Sequence, residues 1–290
     1  MIELAVTTKA ESFERIRGPL LERGIRVTHV DPVGRTVPLS SAASPWTDRS
    51  FDVGYVYPSR PMEGAVLDAH LDVPWVNGRD AVLTSRNKAG VLARLDRAGI
   101  PTPESVLVSN PVDEAQLVEA FEWIGPPVVV KPNSTTRGVG IARADDLDSF
   151  LGITDYLGLV HDFKATGDRS FLVQEYLPDA RDYRVMLIDG EYVGAVERRL
   201  SETGRKSGRW KHNVHRGAEA TGVSISAELR TVAEETAATL EIPVLGVDLL
   251  VSGDRIVVNE TNARPTIDDA EKYESGFFDR LAACIESRIE

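Results

Sequence analysis

The chain has 290 residues, 42% hydrophobic and 27% charged, with 45 acidic against 33 basic side chains and a net charge of −12. That acidic balance argues against nucleic acid as the main partner, no apolar run is long enough to span a bilayer, and the single cysteine, Cys284, excludes internal disulfides and cysteine zinc sites. The opening "MIELAVTTKA" has neither a basic flank nor a signal-peptide core, so the expected setting is cytoplasmic, and the length suits two or three lobes.

Over the first eighty residues, short apolar strands ("IELAV", "IRVTHV", "FDVGYVY", "VPWVNG") alternate with amphipathic segments such as "FERIRGPLLERG". This alternation predicts a small parallel α/β lobe, assigned to residues 1–84. A second lobe is expected over residues 85–170. There Asn87-Lys88 opens a helix whose Val91, Leu92 and Leu95 share a face, and Gly99 followed by Pro101 stops it. The strand "SVLVS", the helix "DEAQLVEAFEWI" and a buried strand ending in Lys131 come next, before a small, polar loop with Gly138 and Gly140. Glycines let backbone N–H groups approach a phosphate while a fixed lysine neutralises its charge; a structural turn accounts for this stretch, taken alone, equally simply.

The third lobe, residues 171–290, holds the strand "FLVQEYL", a hairpin "YRVMLIDGEYVGAVERR" turning at Asp189-Gly190, and the helix "SAELRTVAEETAATL". A second hairpin, "GVDLLVSGDRIVVNETNARP", and a last helix carrying Cys284 complete it. If the second hairpin has a three-residue loop centred on Gly253, facing residues have even-numbered sums, and Asp248 shares a face with Glu260 and Asn262. A two-residue loop or a bulge breaks that parity. Two carboxylates and an amide carbonyl on one face suit a hard cation such as Mg²⁺; a solvated strand end is the plain alternative.

Taken in order, Lys88, Lys131 before the glycine loop, "QEYL", "DYR", "ERR", "HNVHRG" and finally Asp248, Glu260 and Asn262 resemble the ATP-grasp superfamily, and within it the RimK-type amino-acid ligases, from about Ser85 to Pro265. The resemblance implies an α/β and α+β protein in which two α+β lobes clasp ATP behind a small parallel α/β domain. It further implies an ADP-forming ligase that activates a carboxylate as an acyl phosphate for attack by an amine. Carried onto this chain, Lys88, Lys131, Thr136, Gly138 and Gly140 would hold the phosphates, and Gln174, Glu175, Tyr176 and Leu177 would form the adenine hinge. Asp182 would sit near the ribose and substrate edge. Asp248, Glu260 and Asn262 would bind Mg²⁺ or Mn²⁺, two ions in all. Arg184, Arg199 and Arg216 are the candidates for steadying the γ-phosphate, the carboxylate and the acyl phosphate, with Asn213 beside them.

The implied partners are ATP, an amino acid (glutamate first) and a carboxylate-bearing acceptor such as a coenzyme glutamyl tail or a protein C-terminus, with no nucleic acid or membrane. The implied assembly is a homodimer or homotetramer. A glutathione- or dipeptide-type ligase of two small substrates and a nucleotide-binding regulator without turnover are the competing readings. Two departures stand out: Thr135-Thr136 precede the glycine pair, and Arg264 follows the asparagine where many relatives have a small residue, which points to a second carboxylate on the substrate. His212 and His215 flank Asn213 with no third ligand nearby, so a metal role for them is disfavoured.

Overall fold

The computed structural model describes the chain except residues 9–10, 41–42, 47, 136–137, 163–167, 202–209, 212–217 and 290. Its named strands form three sheets. The first is parallel, in the order β2 (Ile25–His29), β1 (Ile2–Val6), β3 (Val53–Val56), β4 (Trp75–Asn77), with α1 (Glu11–Leu21) and α2 (Pro61–Leu71) in the crossovers. Strands buried on both faces read as unbroken apolar runs, and Val53–Val56 is buried at every position.

Helices α3 (Arg79–Arg86) and α4 (Lys88–Arg97) lead to an antiparallel sheet in the order β5 (Ser105–Ser109), β8 (Ser170–Glu175), β6 (Val128–Pro132), β7 (Ala142–Ala144). Helices α5 (Glu114–Ile124) and α6 (Leu147–Asp162) cover one face. Along β6 the alternation is functional: Val128 and Val130 pack with Phe121 and Phe150, while Val129 and Lys131 line a cleft.

The third sheet is antiparallel, in the order β11 (Ala218–Gly222), β10 (Glu191–Leu200), β9 (Arg181–Ile188), β12 (Val244–Ser252), β13 (Arg255–Asn262). Leu245, Val247 and Leu249 point away from the cleft into a core with Leu229, Val232 and Ala233 of α7 (Ala227–Leu240) and Leu281 of α8 (Phe277–Glu286). The same core continues into the first sheet through Val91 and Leu95 of α4, whereas the second sheet keeps a separate cluster with α5 and α6. Helix α4 thus has its apolar face on α7 and β13, although its first residue points into the cleft.

Asn77 ties the first sheet to the third. It is fully buried, donating through Nδ2 to the carbonyls of Val244 (2.6 Å) and Ala263 (2.7 Å), and accepting through Oδ1 from Val244 N–H (3.0 Å). Removing a buried partner strands the groups it satisfied, at about 1–3 kcal/mol each. Asn77→Ala is therefore expected to cost about 3 kcal/mol or more, measured as a loss of unfolding free energy in denaturant, with limited proteolysis reporting release of the first sheet.

Candidate active site

Hairpin β12–β13 has a two-residue loop: Ser252 pairs with Arg255, and Gly253 at φ +58° takes the left-handed position. That pattern fits a turn with glycine at the first central position. The loop is shorter than the sequence reading assumed, and by itself it would put Glu260 on the face opposite Asp248. A β-bulge at Asn259 restores the arrangement, because Leu249 pairs with Val258 but Asp248 pairs with Glu260 and Gly246 with Asn262. Asp248, Glu260 and Asn262 therefore share the cleft face, through a turn and a bulge that cancel in register.

The cleft holds about 1600 Å³ between the second and third sheets and reaches the first. Lys88 stands at the first position of α4, whose amino end is fixed by Asn87 Oδ1 accepting from Gly90 N–H (2.9 Å) and Asn133 Oδ1 from Ala89 N–H (2.9 Å). Its ammonium lies 3.1 Å from Glu260 Oε1 and donates to the carbonyl of Thr135. Lys131 Nζ donates to Asn259 Oδ1 at 3.0 Å, so the bulge residue bridges the two sheets. Burial pushes the Lys131 ammonium down to about 8, with Glu260 opposing and Lys88 adding to the depression.

Asp248 is the centre of a buried charge cluster. Arg184 donates to both its oxygens, Nε to Oδ1 at 2.7 Å and Nη2 to Oδ2 at 2.8 Å, and Arg198 Nη2 lies 3.0 Å from Oδ2. Arg198 also binds Asp182, Nε to Oδ1 at 3.1 Å. Burial raises the Asp248 pKa, but the two arginines outweigh it and hold the carboxyl at about 2. Arg198 was not singled out from the sequence. The neighbouring candidate, Arg199, belongs to the cleft lining, yet strand alternation turns its side chain to the other face, where Nη2 lies 2.6 Å from Glu197 Oε2 and 63% of it is exposed.

The expected hinge links β8 to β9 along the cleft. Gln174 is buried and donates to Ser105 Oγ at 2.8 Å. The Glu175 carboxylate accepts from Arg255 at 2.7 and 2.8 Å and from Glu104 N–H at 2.9 Å, which keeps its pKa low. Its side chain is thus committed to β13, leaving backbone atoms as the hinge's contact groups. The Arg143 guanidinium stands 4.4 Å over the Tyr176 ring, and Leu177 is buried. Gly138 (φ +65°) and Gly140 (φ +79°) lie in the β6–β7 connection, and a Cβ on Gly140 would come within 2.8 Å of Pro132 Cγ. Thr136, His212, Asn213, His215 and Arg216 lie outside the described residues. Cys284 is buried, its thiol pushed up to about 12 by burial and by Asp189, which leaves it no nucleophilic role.

These donors suit a magnesium nucleotide. No group of three or more histidine, cysteine, aspartate or glutamate side chains forms a metal cage among the described residues. Two carboxylates and one amide oxygen at the edge of a large polar cleft match a cation that takes few protein ligands and fills its sphere with water and phosphate. Asn262 Oδ1 accepts from Arg264 N–H at 2.8 Å, which fixes the amide's orientation while leaving its second lone pair free of that bond. The depressed Lys131 is the complementary signal: a buried ammonium awaiting an anion.

Residues 85–279 match the RimK-like ATP-grasp domain family. The chain is 28% identical over 280 residues to the ribosomal protein bS6–L-glutamate ligase of Escherichia coli O139:H28, covering 90% of this chain and 86% of that protein. It is 29% identical over 274 residues to a probable alpha-L-glutamate ligase of Citrobacter koseri, with the same coverage of 90% and 86%. Among solved structures, D-cycloserine synthetase DcsG superposes with a TM-score of 0.73 at 18% identity, covering 99% of this chain and all of that one. A RimK domain ATP-grasp protein from Sphaerobacter thermophilus gives 0.69 at 23% identity, covering 98% of both chains. At these identities the structural likenesses speak for the fold alone.

Proposed function

Since the chain belongs to the RimK-like ATP-grasp family, whose relatives named above are ligases, we propose that it is an ADP-forming carboxylate–amine ligase adding an amino acid, glutamate first, to the carboxyl end of an acceptor. The observation that carries this reading is the meeting, across one cleft, of Lys88 and Lys131 with Asp248, Glu260 and Asn262. Bound ATP would supply the phosphoryl group that turns the acceptor carboxylate into an acyl phosphate. Residues 1–84 would serve as the preceding domain, with 85–170 and 171–290 as the two clasping lobes.

In this account Lys88 and Lys131 neutralise the triphosphate, and the backbone around Gly138 and Gly140 closes over it. Asp248, Glu260 and Asn262 hold two Mg²⁺ or Mn²⁺ ions. Arg184 and Arg198, locked in place by Asp248 and Asp182, line the path of the transferring group, a task that needs alignment and charge neutralisation more than covalent participation. Asn213 and Arg216 complete the set. A protein base is dispensable, because a free amine attacks an acyl phosphate readily. A dimer or tetramer is the proposed assembly.

The test is ADP release with Mg²⁺ and ATP across single amino acids crossed with glutamyl-ended acceptors, with product masses read alongside. A pair giving ADP and a mass gain of one residue is expected. ATP binding without turnover in any pair, across protein C-termini and coenzyme tails alike, would favour the regulator instead.

A pH prediction follows from Lys131. Its pKa in the nucleotide-free protein, about 8, lies below the unfolded value near 10.4. The charged form is therefore lost as pH rises through 8, and the triphosphate must restore the proton on binding. Affinity for a nonhydrolysable ATP analogue is expected to be flat below pH 7 and to weaken above pH 8, approaching about tenfold per unit. Lys131→Arg, charged throughout, is expected to flatten that profile; calorimetric titration from pH 6.5 to 9.5 reads both.

A further inference from the structure

Among the described residues seven arginines line the cleft: Arg15, Arg86, Arg181, Arg184, Arg198, Arg199 and Arg264. Five are neutralised by carboxylates, Arg184 and Arg198 by Asp248, Arg181 and Arg199 by Glu197, and Arg15 by Asp269 at 3.0 Å. Arg86 and Arg264 differ, since among the described residues neither has a carboxylate within ion-pair distance. Arg86, at the end of α3, donates through Nη2 to the carbonyl of Ser59 (2.7 Å). Arg264, in the turn after β13, donates through Nη1 to Thr7 Oγ1 (3.1 Å) and to the carbonyl of Tyr57. The two guanidinium groups are thus anchored two residues apart on the same segment after β3, on the first-sheet side of the cleft.

We infer that Arg86 and Arg264 form an anion subsite that holds a second, unactivated carboxylate of an acidic substrate. Each side chain uses one terminal nitrogen for its anchor. That leaves Nε and Nη1 of Arg86 and Nε and Nη2 of Arg264 for a ligand, and a guanidinium fork matches a carboxylate in two-point fashion. Neutral carbonyls orient the pair without cancelling its charge. Burial and the neighbouring Arg86 depress the Arg264 pKa to about 10, and Asp31, which also lines the cleft, offsets this without closing to an ion pair. Burial lowers Arg86 in the same direction. Arg264 also donates its N–H to Asn262 Oδ1, so the subsite adjoins the candidate metal ligands. A substrate carboxylate held here would lie beside the reacting end of the nucleotide rather than at the hinge.

This inference rests on the ligase reading, and the test separates the two. L-glutamate, L-glutamine (no side-chain carboxylate) and L-isoglutamine (no α-carboxylate) are titrated calorimetrically into the full chain, with and without Mg²⁺ and a nonhydrolysable ATP analogue. Glutamate is expected to bind about 10- to 100-fold more tightly than at least one amide, the usual worth of a charge-assisted contact, and the weaker amide names which carboxylate the subsite holds. In Arg264→Gln and in Arg86→Gln that preference is expected to fall below about threefold, with analogue affinity unchanged. Arg86→Gln keeps the Arg264 anchor, so it is the variant expected to leave the first sheet docked. Equal binding of the three compounds, binding of none, or survival of the preference in either variant would overturn the inference. Failure of the analogue to bind counts against the ligase reading, and the titrations without nucleotide still report on the arginine pair.

Discussion

Asp248→Asn is expected to lose both turnover and stability, whereas Glu260→Gln loses turnover alone. Both replace a proposed metal ligand, and removal of one such preorganised charge lowers kcat by about 100- to 1,000-fold or more. The difference lies in what each carboxylate does without metal. The Glu260 side chain is 27% exposed, and Lys88, its one ion-pair partner among the described residues, retains the Thr135 carbonyl as acceptor. Its amide is nearly isosteric, so the melting temperature should hold. Asp248 is 4% exposed and is bound by both Arg184 and Arg198. Neutralising it takes the carboxylate partner from Arg184 and leaves Arg198 with Asp182, and breaking a buried pair from one side costs about 3–5 kcal/mol. Thermal unfolding and ADP release, measured on the same preparations, separate the two effects. Wild-type turnover in both variants would sink the metal assignment.

Arg198→Ala is expected to cripple the enzyme, and Arg199→Ala to leave its stability unchanged, although the two are adjacent. The Arg198 side chain is 13% exposed and bridges Asp182 and Asp248. Its removal takes a guanidinium from two buried carboxylates at once, Asp248 keeping Arg184, destabilising by about 3–5 kcal/mol and freeing Arg184 and the metal-binding face to shift. Arg199 faces the other way, onto Glu197, which Arg181 also binds at 2.9 Å. Glu197 is buried but keeps Arg181 when Arg199 is removed, and a guanidinium as exposed as that of Arg199 contributes little. Comparable losses of melting temperature in the two variants would contradict the placement of Arg198 at the hub.

The strand and helix order was legible from apolar periodicity, and the family from its motifs, because both depend on local sequence. Facing across hairpins was less so. In β9–β10 the Asp189-Gly190 turn pairs Ile188 with Glu191, and an extra residue at Val193 shifts the register so that Arg198, rather than Glu197, pairs with Asp182. In β12–β13 the bulge at Asn259 does the same for Asp248 and Glu260. Bulges carry no strong sequence signature, since a glycine beside one (Gly194) and an asparagine at another serve equally. Asp248, Glu260 and Asn262 therefore share a face through a two-residue loop and a bulge, not through the three-residue loop that the sequence suggests. Arg86, Arg255 and Asn77 escaped notice for another reason: their partners, Ser59, Glu175 and Val244, come from distant parts of the chain, and only the packed sheets bring them together.

The most direct test of the central claim uses an acceptor labelled with ¹⁸O in its terminal carboxylate, in whichever pair supports ADP release. Activation as an acyl phosphate transfers one carboxylate oxygen to phosphorus, and amine attack then expels it. The account predicts one ¹⁸O in the inorganic phosphate for each amide formed, and none in ADP. Label appearing in AMP, or amide formation with unlabelled phosphate, would contradict it.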